Sequence, residues 1–308
     1  MAVITNPGTY AGEAARPYVA AAVLSADTIA NGYISVLENV HSKAVLRKFT
    51  GATITAATCT FTDQNSLTLG EAVLEATALQ VNEQVCNKDL RATWESAQMR
   101  GQSSAAPADF TSYVAQYVAA KVAEGIELNL WQGNFDADGS GAGTPAYTSF
   151  DGICQKLKAG YNAGTMQQLS GVTTSANILT RLAGLTAEAP SAIAGDPNAK
   201  IFMSRGSAQL YYQALATTYN QSFLNDGLVA RYAGYDIITP AGMPNDAFIL
   251  SRGENLYFGT DLLTDHIQAA VLDLTGVTGD DVTRVIMKFS GGTQVVDAAS
   301  AGFAYRVS

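Results

Sequence analysis

Apolar residues recur at two different periods along this chain, and the change of period divides it. From Pro107 to Trp131 the apolar positions Phe110, Val114, Val118, Val122, Ile126 and Leu130 follow at every fourth residue, and Tyr113 and Tyr117 widen the stripe. That spacing predicts one long helix, opened by a proline in the first turn, where no backbone donor is needed. A helix of that length spans roughly 37 Å. A strict four-residue period overruns the 3.6-residue turn by roughly 40° per step, so the stripe winds and its two ends face different neighbours. Near the C-terminus the period is two. Val285, Met287 and Phe289 alternate with Arg284, Ile286 and Lys288, and Phe303, Tyr305 and Val307 with Ala304, Arg306 and Ser308. Both runs predict half-buried strands.

The remaining segments fall around these two. The first thirty or so residues carry Pro7, Gly8, Gly12 and Pro17 without a period and read as an extended arm. Ile29, Tyr33, Val36, Leu37 and Val40 predict a short helix from about Asp27 to Val45. Phe49 to Phe61, the turn signal at Asp63 to Ser66, and the returns at Leu67 to Leu69 and Leu79 to Val81 read as a long hairpin. A hairpin of that polarity has little core of its own and needs a neighbour. Asn87 is placed to cap a helix bearing Leu90, Trp94 and Ala97. Gly133 to Thr148 is a loop. Asp151 is read as the cap of a helix bearing Ile153, Cys154, Leu157 and Tyr161. Further helices fit Ser175 to Gly184 and the segment opening at Ser207 through Leu210, Tyr211 and Ala214. Lys200 to Met203 reads as a buried strand, and Tyr235 to Ile238, Ala247 to Leu250, Leu256 to Phe258 and Ile267 to Leu274 as further strands. The class is α+β, with a helical middle and a strand-rich end.

Composition sharpens this picture. The chain has 308 residues, 47% of them hydrophobic and only 15% charged, with a net charge of −9. An average soluble protein carries roughly 25% charged residues. So few charges fit either a charge-poor monomer or a surface hidden against copies of the same chain. An acidic chain does not coat a duplex by neutralising phosphate. No run approaches the roughly 18 apolar residues of a membrane span. The apolar stretch Tyr18 to Leu24 is short, follows a proline and lacks a basic start, so it is not read as a signal core. Cys59, Cys86 and Cys154 form no CxxC and no disulfide framework, which suits a reducing compartment.

Candidate chemistry is sparse. The sequence holds no P-loop, no HExxH and no GxSxG. Gly139, Gly141 and Gly143 give GxGxG, but Thr144 stands where a dinucleotide fingerprint needs its third glycine. His41 and His266 are too few for a histidine metal site and mark no nucleophile. Asp136, Asp138 and Ser140, followed by Gly141, resemble the first half of a calcium loop; Tyr147 stands where the bidentate glutamate belongs, so the segment fits a solvated turn better and would hold calcium weakly. Trp94 and Trp131 follow apolar stripes and read as packing residues. The expectation is therefore a protein with no catalytic residues, no cofactor and no metal.

Several phrases, in this order of elements, resemble the major capsid proteins of tailed bacteriophages with the Hong Kong 97-type fold. Leu130-Trp131-Gln132-Gly133-Asn134 resembles that family's ending of its spine helix, and Phe150-Asp151-Gly152-Ile153 its entry to the axial domain. Glu254 to Asp261, reading ENLYFGTD, resembles the return to the peripheral domain. Arg284 to Val296, reading RVIMKFSGGTQVV, resembles that domain's late strand pair. Val81 to Cys86 with Asp89 to Trp94 is similar to one branch of the family. The resemblance implies an N-terminal arm over 1–45, an E-loop hairpin over 46–84, and a peripheral domain over 85–150 containing the spine helix 107–131. An axial domain over 151–253 and a peripheral return over 254–308 follow.

It further implies a structural protein, not an enzyme, that self-assembles into hexamers and pentamers of an icosahedral head enclosing double-stranded DNA without sequence-specific binding. The expected partners are further copies of itself, with portal, scaffold and decoration proteins, and no membrane; the expected location is the virion, assembled in the host cytoplasm. No charged helical segment of the kind some members carry precedes the arm, which implies a separate scaffold or none. Some members weld subunits through a Lys–Asn bond. Lys43 and Lys48 lie near the hairpin, but no partner Asn or catalytic carboxylate can be matched, so that chemistry is not carried over. The alternatives are an encapsulin-type nanocompartment shell, a secreted or surface adhesion domain, and an enzyme such as a hydrolase.

Overall fold

A computed structural model describes residues 9–11, 26–51, 59, 68–88, 110–135, 147–160, 167–219, 231–261, 268–274 and 278–307. In chain order the first elements are β1 (Thr9–Ala11), α1 (Asp27–Ala30), β2 (Ser35–Leu37), β3 (Lys43–Thr50), β4 (Thr68–Glu75), β5 (Thr77–Cys86) and α2 (Phe110–Gln132). Then come α3 (Ile153–Gly160), β6 (Gln167–Ser170), α4 (Ile178–Ala187), β7 (Ala199–Met203), α5 (Arg205–Tyr219), β8 (Arg231–Tyr232) and β9 (Tyr235–Ile238). The chain closes with β10 (Ala247–Arg252), β11 (Leu256–Thr260), β12 (Gln268–Asp273), β13 (Val282–Val295) and β14 (Gly302–Val307).

The strands form two larger sheets and a ribbon. In the first sheet the order is β1-β12-β13-β11-β2, and β5 also pairs with β13. Strand β13 is the axis of this sheet. Gly291 faces Thr77 of β5 on one edge and Thr260 of β11 on the other. The second sheet runs β6-β14-β10-β7-β9-β8. It divides two cores, because successive side chains of a strand point to opposite faces. Phe202, Ile249 and Phe303 face the core shared with α2, α3 and the first sheet. Ile201, Met203, Phe248, Leu250 and Ala304 face α4 and α5. Strand β14 is therefore covered on both faces, not on one as its alternation predicts. Strands β3 and β4 make the ribbon, with Lys43 opposite Glu75 and Thr50 opposite Thr68.

The long helix appears where the four-residue stripe places it. Along its described part Val118, Val122 and Ile126 face the first sheet, whereas Trp131 packs on Phe202 of the second at 5.4 Å between ring centroids. The helix thus changes neighbour along its length, with Trp131 one position beyond the last residue of the stripe.

Three local readings are corrected, and one falls outside the described residues. The helix expected to Val45 stops at Ala30, because Gly32 takes φ +65° and β2 then pairs in parallel with β11. The Asn87 carboxamide oxygen accepts from the Thr283 hydroxyl at 2.5 Å; the helix it was read to cap bears Leu90, Trp94 and Ala97, which lie outside the described residues. The side chain of Asp151 turns back to Asn134 at 2.8 Å instead of capping α3. The cap of α5 is Ser204, whose hydroxyl accepts from the Ser207 amide at 3.1 Å. For Asp151 the reading missed that a distant residue, Asn134, competes for the same carboxylate.

Candidate functional site

Among the described residues, those singled out for chemistry are not brought together. His41 sits at the foot of the ribbon, where its Nδ1 lies 2.8 Å from the buried carboxylate of Asp261. His266, Trp94 and the calcium-loop residues Asp136, Asp138 and Ser140 lie outside the described residues. Among the described residues no three His, Cys, Asp or Glu side chains cluster to hold a metal ion. Cys154 is buried, and burial pushes its thiol pKa up, so it is not a reactive thiolate. Trp131 is a packing residue whose indole N–H donates to the Thr28 hydroxyl at 2.8 Å.

The most distinctive surface is the β3–β4 ribbon. Its register puts Val45 opposite Val73 and Phe49 opposite Leu69. These four side chains share one face by the period of two, and all are exposed: Phe49 68%, Val45 51%, Leu69 50% and Val73 40%. Between and beside them lie the ion pairs Lys43–Glu75 at 2.6 Å and Arg47–Glu71 at 3.9 Å. The hydrogen bond and charge of Lys43 hold the Glu75 carboxyl below the usual carboxylate range. Such exposed pairs contribute little stability, but opposite charges placed across the ladder favour this register over a one-residue slip. A two-stranded ribbon is marginal in water by itself. One with four exposed apolar side chains on a single face presents surface that monomeric proteins normally bury.

The other face of the ribbon lies against the body of the subunit. Leu74 is fully buried, and Lys48 forms an ion pair with Asp297 in the turn after β13. The two lysines noted near the hairpin are thus both ion-paired, Lys43 with Glu75 and Lys48 with Asp297. Leu74 and Asp297 carried no signal in the sequence; their role appears only when the ribbon is laid on the sheet.

A second apolar surface runs between α2 and β5. It is a groove of about 440 Å³ walled by Val118, Val122 and Ile126 on one side and by Leu79 and Val81 on the other, with Tyr117 and Lys121 also lining it. Gly125 lines it as well, and no atom lies within 4 Å of the place a Cβ would take there.

The far end of α2 is held rigidly. The buried Glu127 carboxylate accepts from the Thr28 amide at 3.0 Å, from the Thr28 hydroxyl at 2.5 Å and from the Trp131 indole at 3.1 Å. Gly133 and Gly152 lie back to back. A Cβ on Gly133 would stand 2.0 Å from the Phe150 carbonyl oxygen, and one on Gly152 would stand 2.6 Å from the Gly133 nitrogen. Asn134 takes φ +52°, a conformation asparagine tolerates, and its side-chain carboxamide donates to Asp151. Burial alone would raise the Asp151 carboxyl, but the hydrogen bonds from Asn134 and Lys156 outweigh it and hold the group low.

No protein-family profile matches the chain, and no curated protein matches it in sequence. Solved structures do. The chain is similar to one from the satellite phage P4 procapsid, in a structure that includes the size determination (Sid) protein, with TM-score 0.58 and 12% identity over 95% of this chain and 90% of that one. It is similar to the capsid of the native GTA particle, with TM-score 0.56 and 14% identity over 94% and 91%. It is also similar to a chain of the bacteriophage PhiM1 mature capsid, with TM-score 0.51 and 11% identity over 89% and 86%. At such identities the likeness is one of fold.

Proposed function

Taking the phage major capsid fold as premise, we propose that this chain is a major capsid subunit. It self-assembles into hexamers and pentamers of an icosahedral head that encloses double-stranded DNA, in the virion, after assembly in the host cytoplasm. In this reading the β3–β4 ribbon is the E-loop and α2 the spine helix. The sheet around β13 belongs to the peripheral domain, and the sheet of β7, β10 and β14 belongs to the axial domain. The role is structural, not catalytic. The partners are further copies, with portal, scaffold and decoration proteins at particular positions of the shell.

The observation that carries the reading is the outward apolar face of the ribbon. Four exposed apolar side chains in fixed register have no place on a solitary subunit, and a neighbouring copy covers them. The net charge of −9 suits a container wall that does not grip its genome.

Negative-stain microscopy of the purified protein tests this. Uniform polyhedral shells are expected from the parent chain. Phe49→Ser with Leu69→Ser is expected to leave the subunit folded, since exposed substitutions shift stability by only about 0.5 kcal/mol, while shells disappear. Normal shells from the double variant would remove the ribbon from the assembly surface. Nuclease-resistant DNA within particles from infected cells supports a genome container, whereas protein-filled shells without DNA point to a nanocompartment.

A further inference from the structure

The ribbon is not simply attached to the body; it crosses it. Strands β4 and β5 are one nearly continuous run broken only at Ala76. Up to Thr77, opposite Gly291, that run lies beside β13 in the plane of the sheet. Beyond it, the chain passes over the face of the sheet. The rung it passes over is the pair Gly259–Gly292, which face each other across β11 and β13. A Cβ on Gly292 would stand 2.0 Å from the Glu75 carbonyl oxygen, and one on Gly259 would stand 2.3 Å from Leu74 Cδ2. The first obstacle is backbone and cannot turn aside; the second is the end of a side chain that can. A third contact lies further along the ribbon, where Lys48 pairs with Asp297. The Asp297 carboxylate is itself fixed by the Ser300 hydroxyl and by the Ala299 amide at 3.1 Å.

We infer that this arrangement is a seat that sets the direction in which the ribbon leaves the subunit. The two-glycine window admits the Leu74–Ala76 crossing at one depth, and the Lys48–Asp297 strut fixes the tilt. Two points of support determine a direction, where one would leave a pivot. Gly259, Gly292, Lys48 and Asp297 are thus positioning residues for the surface assigned above. The inference deepens that reading and rests on it for its biological purpose, but its geometry holds for the isolated subunit.

The test uses the full chain, dissociated and dilute. Nitroxide labels are placed at Cys86 and at Glu71→Cys in a Cys59→Ser background, and Cys154 is buried and stays unlabelled. Both labels sit on the β4–β5 run, roughly 50 Å apart if it were straight, so any change of bend at Ala76 changes their separation. Pulsed dipolar spectroscopy is expected to give one narrow distance for the parent. Gly292→Ala is expected to shift that distance by several ångströms, and Lys48→Ala to broaden it, while Lys48→Ala keeps the parent's circular dichroism spectrum. Should Gly292→Ala fail to fold, Leu74→Ala takes its place, with broadening expected. Unchanged distances in Lys48→Ala and in either crossing variant would overturn the seat. Shells that form normally despite a redirected ribbon would instead count against the assembly role and leave the seat standing.

Discussion

Glu127 is a buried carboxylate that receives three hydrogen bonds from neutral donors and, among the described residues, pairs with no cation. Removing it strands the Thr28 amide and weakens the indole's partnership. Glu127→Ala is expected to cost about 1–3 kcal/mol, read from the urea midpoint, and Thr28→Val less, because the amide bond survives. The glycines make the sharper case. Gly133, Gly152, Gly259 and Gly292 all fall within the short phrases that suggested the capsid family, yet nothing in those phrases says why glycine stands there. For Gly133, Gly152 and Gly292 the reason is a backbone crossing that leaves no room for a methyl group, and for Gly259 it is the Leu74 side chain. Gly152→Ala is expected to destabilise at the upper end of about 1–3 kcal/mol, because its three near neighbours are all backbone atoms. Asp297 adds a pH dependence. Burial alone would raise its carboxyl, but Lys48, Ser300 and the Ala299 amide together hold it below the ordinary value. A depressed folded pKa contributes stability that is present above the unfolded value near 3.9 and lost as pH falls through the folded one. The thermal midpoint of the parent is therefore expected to fall more steeply between pH 5 and pH 3 than that of Asp297→Asn.

At the scale of elements, periodicity carried most of what could be read. The winding stripe on α2, the alternation in β13 and the buried strand β7 all lie where their patterns place them, because each element satisfies its own hydrophobic period. The failures share a cause. Tyr33, Val36 and Val40 have helical spacing, but a parallel partner strand exists for Ser35–Leu37, and pairing with it outweighs a weak local preference. Likewise β14 alternates as though one face were wet, and it is sealed only because α4 arrives from elsewhere in the chain. The ribbon was legible as a hairpin that needs a neighbour; which of its faces meets its own subunit was not. That depends on Leu74 and Lys48 finding Gly259 and Asp297, nearly two hundred or more positions away.

For the whole molecule, the low charge count is not accounted for by the ribbon, whose outer face carries two ion pairs among its apolar side chains. The exposed ribbon face and the groove beside α2 are apolar surfaces within an acidic chain, so association should be driven by burial and opposed by like charge. Raising salt from about 0.05 to 0.5 M screens that repulsion and is expected to favour assembly or leave it unchanged, as light scattering would record. A complex held together by phosphate neutralisation would weaken instead. The crossing at Ala76 has one further consequence, which is mechanical. A neighbour that tugs on the ribbon pulls along β5, whose ten residues are all laddered onto β13. Force applied along that axis loads every rung at once in shear, whereas the same force applied across it would open them one by one like a zip. In the shell proposed above, internal pressure would therefore be met at each subunit by the stronger of the two geometries.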